Sequence, residues 1–343
     1  MFKFIFLALG FSVTVFIVCP SASYGESMYL KIPSSNISRS LDFTSKQLIF
    51  FPEEVLTQTN LEEIWIDDNQ ITEIPEDINR LIHLRRFSAY KNKLAILPES
   101  LFNLMSLERI NISVNNLSFL SDRVGNLTEL QVLDVNHNGL VELPKSVGNL
   151  KNLRFLYLAG NCLESLPQSF ENLKNLTYLN ITHNKFKTIP ECIGCMDHLI
   201  ELRIYNNVIA SIPDFISKLI RLKEIHAMNN RINSLSDSIG CLGNLRKLML
   251  ENNQLRTLPE SIGDLESLTE LDLRSNQLIS LPETIGKLKS LRFLDLRDNK
   301  LTTLPLSIRN LKNLKKIDVR LNKSLAIPEW FQELEQRGCT VFY

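Results

Sequence analysis

Apolar residues recur along this chain with a fixed beat. The unit reads Leu-x-x-Leu-x-Leu-x-x-Asn-x-Leu-x-x-Leu-Pro-x-x-Ile-Gly-x-Leu-x-x. Residues 268–290 spell it almost unaltered, with Leu268, Leu271, Leu273, Asn276, Leu278, Leu281, Pro282, Ile285, Gly286 and Leu288. Asparagines fall at 69, 92, 115, 138, 161, 184, 207, 230, 253, 276, 299 and 322, every gap being 23 residues. Prolines form a second ladder at 52, 75, 98, 144, 167, 190, 213, 259, 282, 305 and 328, with Ser121 and Ser236 on its two missing rungs. Two ladders that stay in phase over more than 250 residues mark an internal repeat and not a pair of ordinary domains.

The spelling predicts the elements. Leu-x-Leu has period two, so both leucines point to one face of a short strand. Strands from successive units then stack in parallel into one long sheet. An asparagine after the strand carries donors and acceptors on a short side chain, suited to the inward-facing backbone of the next turn. Those buried groups would otherwise stand unpaired at ~1–3 kcal/mol each. Proline opens the return segment and cannot extend a strand. The Ile-Gly-x-Leu stretch fits a short helical or 3-10 turn on the outer face. A strand side that packs more closely than the turn side curves the stack.

With these motifs in hand, the chain resembles the leucine-rich-repeat family in its 23-residue class, over roughly residues 38–337. That class occurs in exported bacterial proteins and in intracellular scaffolds. The resemblance implies an α/β fold, a right-handed solenoid or horseshoe. Its parallel sheet would line the concave face and its short helical or 3-10 turns the convex face. The expected organisation is a signal peptide at 1–25, a cap with a degenerate first repeat at 26–60, an array of 12 units at 61–328 and a cap at 329–343. The degenerate copy carries Leu41, Phe43, Leu48, Phe51, Pro52 and Val55, with Lys46 where the asparagine should stand. Met28, Tyr29, Leu30 and Ile32 are candidates for the first cap. In the last one, Trp330, Phe331 and Leu334 are expected to pack inward from a helical turn. Gly338 breaks that turn, and Cys339–Tyr343 closes the sheet as a final strand.

The first residues change the picture from scaffold to exported protein. Lys3 precedes an apolar run from Phe4 to Val18, followed by Cys19, Pro20, Ser21, Ala22, Ser23, Tyr24 and Gly25. Cleavage after Ser23 or Gly25 fits a secretory signal. A run of 15 residues is short for crossing ~30 Å of hydrocarbon, so no stable membrane span is expected in the mature chain. Secreted, periplasmic and cell-surface destinations all fit; a cytoplasmic chain is the alternative. Removal of Cys19 would leave Cys162, Cys192, Cys195, Cys241 and Cys339, an odd number with no flanking cluster, and free cysteines favour the cytoplasmic alternative.

Lys+Arg and Asp+Glu each total 38, a balance that argues against bulk binding to nucleic acid or anionic lipid, although local segregation stays open. The variable strand positions supply the candidate surface. Phe155, Tyr157, Tyr178, Arg203, Tyr205, His226, Met228 and Met249 fall together over adjacent units and are the expected partner-binding residues. Asp272, Asp295 and Asp318 run beside Arg274, Arg297 and Arg320, either as mutually neutralising ion pairs or as a charged docking strip.

Catalytic chemistry is not legible. Cys192 and Cys195 form a lone Cys-x-x-Cys. Cys195 and Cys241 hold one repeat position two units apart, at ~10 Å, too far for a disulfide. His137 and His183 are likewise too far apart to share a metal. A site around His226 and Glu224 is the one enzymatic alternative. The expectation is therefore a non-catalytic protein-binding module without cofactor, metal or nucleic-acid partner, and an intracellular signalling scaffold as the second reading.

Overall fold

The computed structural model describes residues 39–343. The signal-peptide reading, Cys19 and the candidate cap at Met28–Ile32 lie outside the described residues. The strands follow the period of the sequence: β1 (Ser40–Asp42), β2 (Glu63–Trp65), β3 (Arg86–Ser88), β4 (Arg109–Asn111), β5 (Val132–Asp134), β6 (Phe155–Tyr157), β7 (Tyr178–Asn180), β8 (Glu201–Arg203), β9 (Ser211–Ile212), β10 (Glu224–His226), β11 (Ser234–Leu235), β12 (Lys247–Met249), β13 (Glu270–Asp272), β14 (Phe293–Asp295), β15 (Lys316–Asp318) and β16 (Thr340–Phe342). All but β9 and β11 form one 14-stranded sheet in chain order. Its pairs are parallel, and equivalent residues sit opposite each other, as in Tyr157↔Asn180 and Arg203↔His226.

Each strand of the long sheet is only three residues long because the coil must turn back at once. The turn needs a left-handed residue one place before the asparagine. Asp68, Lys91, His137, His183 and Asn206 all have φ near 50° there. Val114 takes the same conformation at φ 56°, against the preference of a β-branched side chain.

The asparagine ladder performs the bonding that its composition predicts. Asn253 Nδ2 donates to Leu250 O in its own turn and to Ala227 O in the preceding unit, both at 3.0 Å. Its Oδ1 accepts from Ile232 N at 3.0 Å. Asn161 and Asn299 repeat these bonds. Each rung thus satisfies buried backbone of two units, which is why one unit cannot be stable alone.

The return segments are 3-10 turns such as Glu260–Asp264 and Glu283–Lys287, each preceded by proline or serine. Glycine recurs inside them because adjacent turns nearly touch. A Cβ on Gly263 would lie 2.3 Å from Thr284 O, whereas one on Gly243 would meet nothing within 4 Å. The core between sheet and turns is continuous leucine and isoleucine, widened by the fully buried Phe87, Phe102, Phe170 and Phe186.

Helix α1 (Phe331–Gln336) and β16 close the far end. Phe331 and Leu334 are buried there, and half-buried Trp330 packs edge-on to Phe331 at 5.0 Å. The sequence did not foreshadow β9 and β11, a second parallel pair on the flank after the asparagine turn.

Candidate functional site

Alternation along each strand turns Leu156, Leu179, Leu202 and Ile225 into the core and their neighbours outward. Phe155 and Tyr157 therefore face the same side as Tyr178, Arg203 and His226. The structure brings the first of these into contact: the rings of Tyr157 and Tyr178 are 4.9 Å apart and those of Phe155 and Tyr178 6.3 Å apart. The Arg203 guanidinium lies over the Tyr178 ring at 5.6 Å, within cation–π range. Tyr205 stands just past β8 and packs edge-on against His183 at 5.5 Å. Phe155 remains 39% exposed, a large apolar side chain on open sheet.

Burial pushes the Tyr178 hydroxyl up to about 12 and the nearby Asp134 carboxyl up to about 6. Asp134 has no salt-bridge partner among the described residues; its Oδ1 accepts from the Asn136 backbone N–H at 3.0 Å. The middle of the sheet thus combines aromatic faces with a carboxylate that has lost water without gaining a cation.

His226 sits in a different setting. Its Nε2 is 2.9 Å from Glu224 Oε2 and 3.8 Å from Glu201 Oε1. Arg203 Nε donates to Glu201 Oε1 at 2.5 Å, and Lys247 Nζ reaches Glu224 Oε1 at 3.4 Å. Glu201, Glu224 and His226 are the one trio of candidate metal ligands among the described residues. Both carboxylates are already held by cations, so the group forms a balanced hydrogen-bonded network and not a bare chelate. Met228 follows β10 on this face. Met249 belongs to a shallow depression farther on, lined with Asp272, Phe293, Asp295 and Lys316.

The Asp/Arg columns pair along their own strands. Arg297 grips Asp295 two residues earlier, with Nε–Oδ1 2.9 Å and Nη2–Oδ2 2.6 Å. Arg320 does the same to Asp318. Asp318 is fully buried; burial pushes its carboxyl up, but the bonds from Arg320 and the charge of Arg297 hold it below the ordinary value.

His183, Glu201, Glu224 and Lys247 complete the surface; none is among the expected partner-binding residues, and Glu224 is named from the sequence only in the enzymatic alternative. The two glutamates and the lysine share the column of Phe155, but only side-chain geometry shows whom they bond. His183 stands on the left-handed turn position, one place outside the alternating columns. Cys192 is buried, and burial pushes its thiol up to about 11. No described cysteine is disulfide-bonded.

Comparison with known proteins places the repeat. The family description "Leucine-rich repeat region" matches residues 144–249 and 230–336, and the descriptions "Leucine rich repeat" and "Leucine Rich Repeat" match 107–163 and 60–81. No curated protein matches the chain. Among solved structures, a leucine-rich-repeat protein of Leptospira interrogans is 34% identical, with a TM-score of 0.82 over 87% of this chain and 76% of that one. The ectodomain of the Arabidopsis thaliana membrane receptor kinase GASSHO1/SCHENGEN3, solved with CASPARIAN STRIP INTEGRITY FACTOR 2, is 28% identical with a TM-score of 0.68, over 81% of this chain but 36% of that one. An internalin, inlF, of Listeria monocytogenes shares the fold at 24% identity, over 82% of this chain and 86% of that one with a TM-score of 0.66.

Proposed function

The chain belongs to the leucine-rich-repeat family, and from that premise we propose that it is an exported protein-binding module that receives a protein partner on the concave sheet face. The observation that carries this reading is the cluster of Phe155, Tyr157 and Tyr178 with Arg203 laid over it. Aromatic rings and arginine on a preformed surface are the usual anchors of an interface. The rigid sheet keeps the ordering cost of binding small. The similar receptor-kinase ectodomain was solved in complex with CASPARIAN STRIP INTEGRITY FACTOR 2, which supports the reading.

Export rests on the charged-then-apolar start of the sequence and on the kind of protein that shares the fold. The reading includes host contact, adhesion or immune modulation if the source is a bacterium. Edman sequencing of the native protein tests export separately: a start near residue 24 or 26 supports it, and an intact Met1 refutes it.

Affinity capture from an extracellular protein mixture tests the surface. The double variant Tyr157→Ala, Tyr205→Ala should recover about a hundredfold less partner than the unaltered chain, since two anchors at ~1.4 kcal/mol or more each are removed. Equal recovery would refute the aromatic site.

A further inference from the structure

Net neutrality hides a segregation of charge. Between each 3-10 turn and the following strand runs a five-residue connector on one flank of the coil. In the early connectors 58–62, 81–85, 104–108 and 127–131, Arg85 is the one Lys or Arg, against Glu62, Glu108 and Glu129. Arg85 is bonded to Glu108, and Glu62 to Arg39. Among the described residues, only Glu129 of these early charges stands outside an ion pair, and it is acidic.

The late connectors differ. Arg221 and Lys223 lie in 219–223, Arg246 in 242–246, Lys289 and Arg292 in 288–292, and Lys312 and Lys315 in 311–315. Glu266 in 265–269 is the sole carboxylate of this stretch. All seven cations are exposed, and among the described residues none takes part in a salt bridge. Acidic residues such as Glu191, Asp214, Asp237, Glu260 and Glu283 stand apart, each opening a 3-10 turn. Lys287 at the end of its turn is explained by the helix dipole. The connector cations lie beyond the turns, and the dipole does not account for them.

The column Lys223, Arg246, Arg292, Lys315 occupies four of five successive units, with Thr269 in the fifth, and spans about 20 Å at ~4.8 Å per strand. A second observation falls on the same line: a shallow depression lined by Ser290, Arg292, Asn313 and Lys315, all bearing hydrogen-bond donors. Asn313 already donates to Lys289 O at 2.8 Å, which fixes its place in the depression. Unpaired like charges held in a row lower their mutual repulsion by meeting an anion of the same linear form.

We propose that this flank binds a linear sulfated polysaccharide. The row is one or two side chains wide, as a chain-like polyanion requires. A lipid surface would need several apolar side chains to seat among the headgroups; the leucines of connectors 219–223, 242–246, 288–292 and 311–315 are all buried, and Ile220 is the one exposed apolar side chain of these four. Single-stranded nucleic acid would need stacking aromatics, and these connectors contain none. The choice of a glycan met outside the cell rests on the export reading. The binding itself is tested on purified protein and does not depend on it.

The probe is heparin, with single-stranded DNA of equal charge and phosphatidylserine vesicles beside it. The unaltered chain should bind heparin more weakly as salt rises. The variant Arg246→Ser, Arg292→Ser, Lys315→Ser should bind about tenfold more weakly, with a shallower salt slope. The variant Lys93→Ser, Lys185→Ser, Arg231→Ser removes the same charge from exposed positions on the opposite flank and should bind heparin as before. Circular dichroism of both variants should match the unaltered chain, since every altered residue is exposed. No retention on heparin, equal weakening by the two variants, or equal affinity for DNA or vesicles would each overturn the proposal.

Discussion

The middle of the sheet and its far end share one backbone and differ in what their outward side chains do. In β6 to β8, Tyr157, Tyr178 and Phe155 meet across strands and leave apolar area open. In β13 to β15, arginine and aspartate close on each other within a strand or with the next strand. A partner docking on the far end would have to break bidentate charge pairs before making its own. One docking on the middle removes water from aromatic faces and breaks little. The lesson is that a run of exposed charge is a weaker sign of a binding surface than a cluster of incompletely covered rings.

The comparison assumes that the scaffold is the same in both regions, which mutation can break. Asn161→Ala in the middle and Asn299→Ala at the far end each leave one buried backbone donor, Leu140 N or Leu278 N, without its partner, while the carbonyls they bond keep the asparagine of the neighbouring rung. Each should cost about 1–3 kcal/mol in urea unfolding, the cost of one buried donor left unpaired. The two losses should agree within about 1 kcal/mol; a wide gap would mean that the units are not equivalent. A repeat array can unfold in parts, so hydrogen exchange should accompany the melt.

A second test uses acidity. The Asp134 carboxyl is pushed up to about 6 in the fold by burial, against 3.8 as its ordinary value. A raised carboxylate binds a proton more readily folded than unfolded, so its contribution to stability falls as pH climbs from about 4 to 6. Asp134→Asn should therefore stabilise the chain by about 1 kcal/mol at pH 7 and flatten that decline. Asp318 is held below its ordinary value, so it should act in the opposite sense, with its contribution present above pH 4 and lost in stronger acid. Titration of both carboxyls by NMR checks the two directions.

A smaller effect concerns the turns. Val114 holds φ 56° at the position where Asn206 and Asp68 sit comfortably. Val114→Asn should raise stability by about 1 kcal/mol or less in the same unfolding assay, by relieving a left-handed β-branched residue.

The fold was legible because every unit repeats the same physical demands. The ladder of asparagines from 69 to 322 is a list of buried backbone groups that need partners, and the structure satisfies them in the expected way. Register followed from the period, since Leu156 must meet Leu179 if the coil neither gains nor loses a residue. Less was legible at the surface. Position told which side chains of β6 to β12 point outward, but not that Arg203 would bind Glu201 or that Lys247 would reach Glu224. Such choices depend on rotamers and neighbours three ångströms away, which no spacing encodes. The pair β9 and β11 escaped for a similar reason. It arises because Asn233 N bonds Ala210 O and Ser236 N bonds Ile212 O, a closeness of two flanks that the motif does not specify. The charge segregation of the connectors was readable in principle, yet it emerges only when late units are set against early ones.

The central claim is that the rings of the middle strands are the docking surface. Hydroxyl-radical footprinting of the chain, free and bound to its captured partner, tests it at the level of single side chains. Oxidation of Tyr157, Tyr178 and Tyr205 should fall about fivefold or more on binding, because well-packed interface cores exclude water, while Phe293 and Phe342 keep their free rates. Protection of Phe293 and Phe342 with the three tyrosines unchanged would contradict the account.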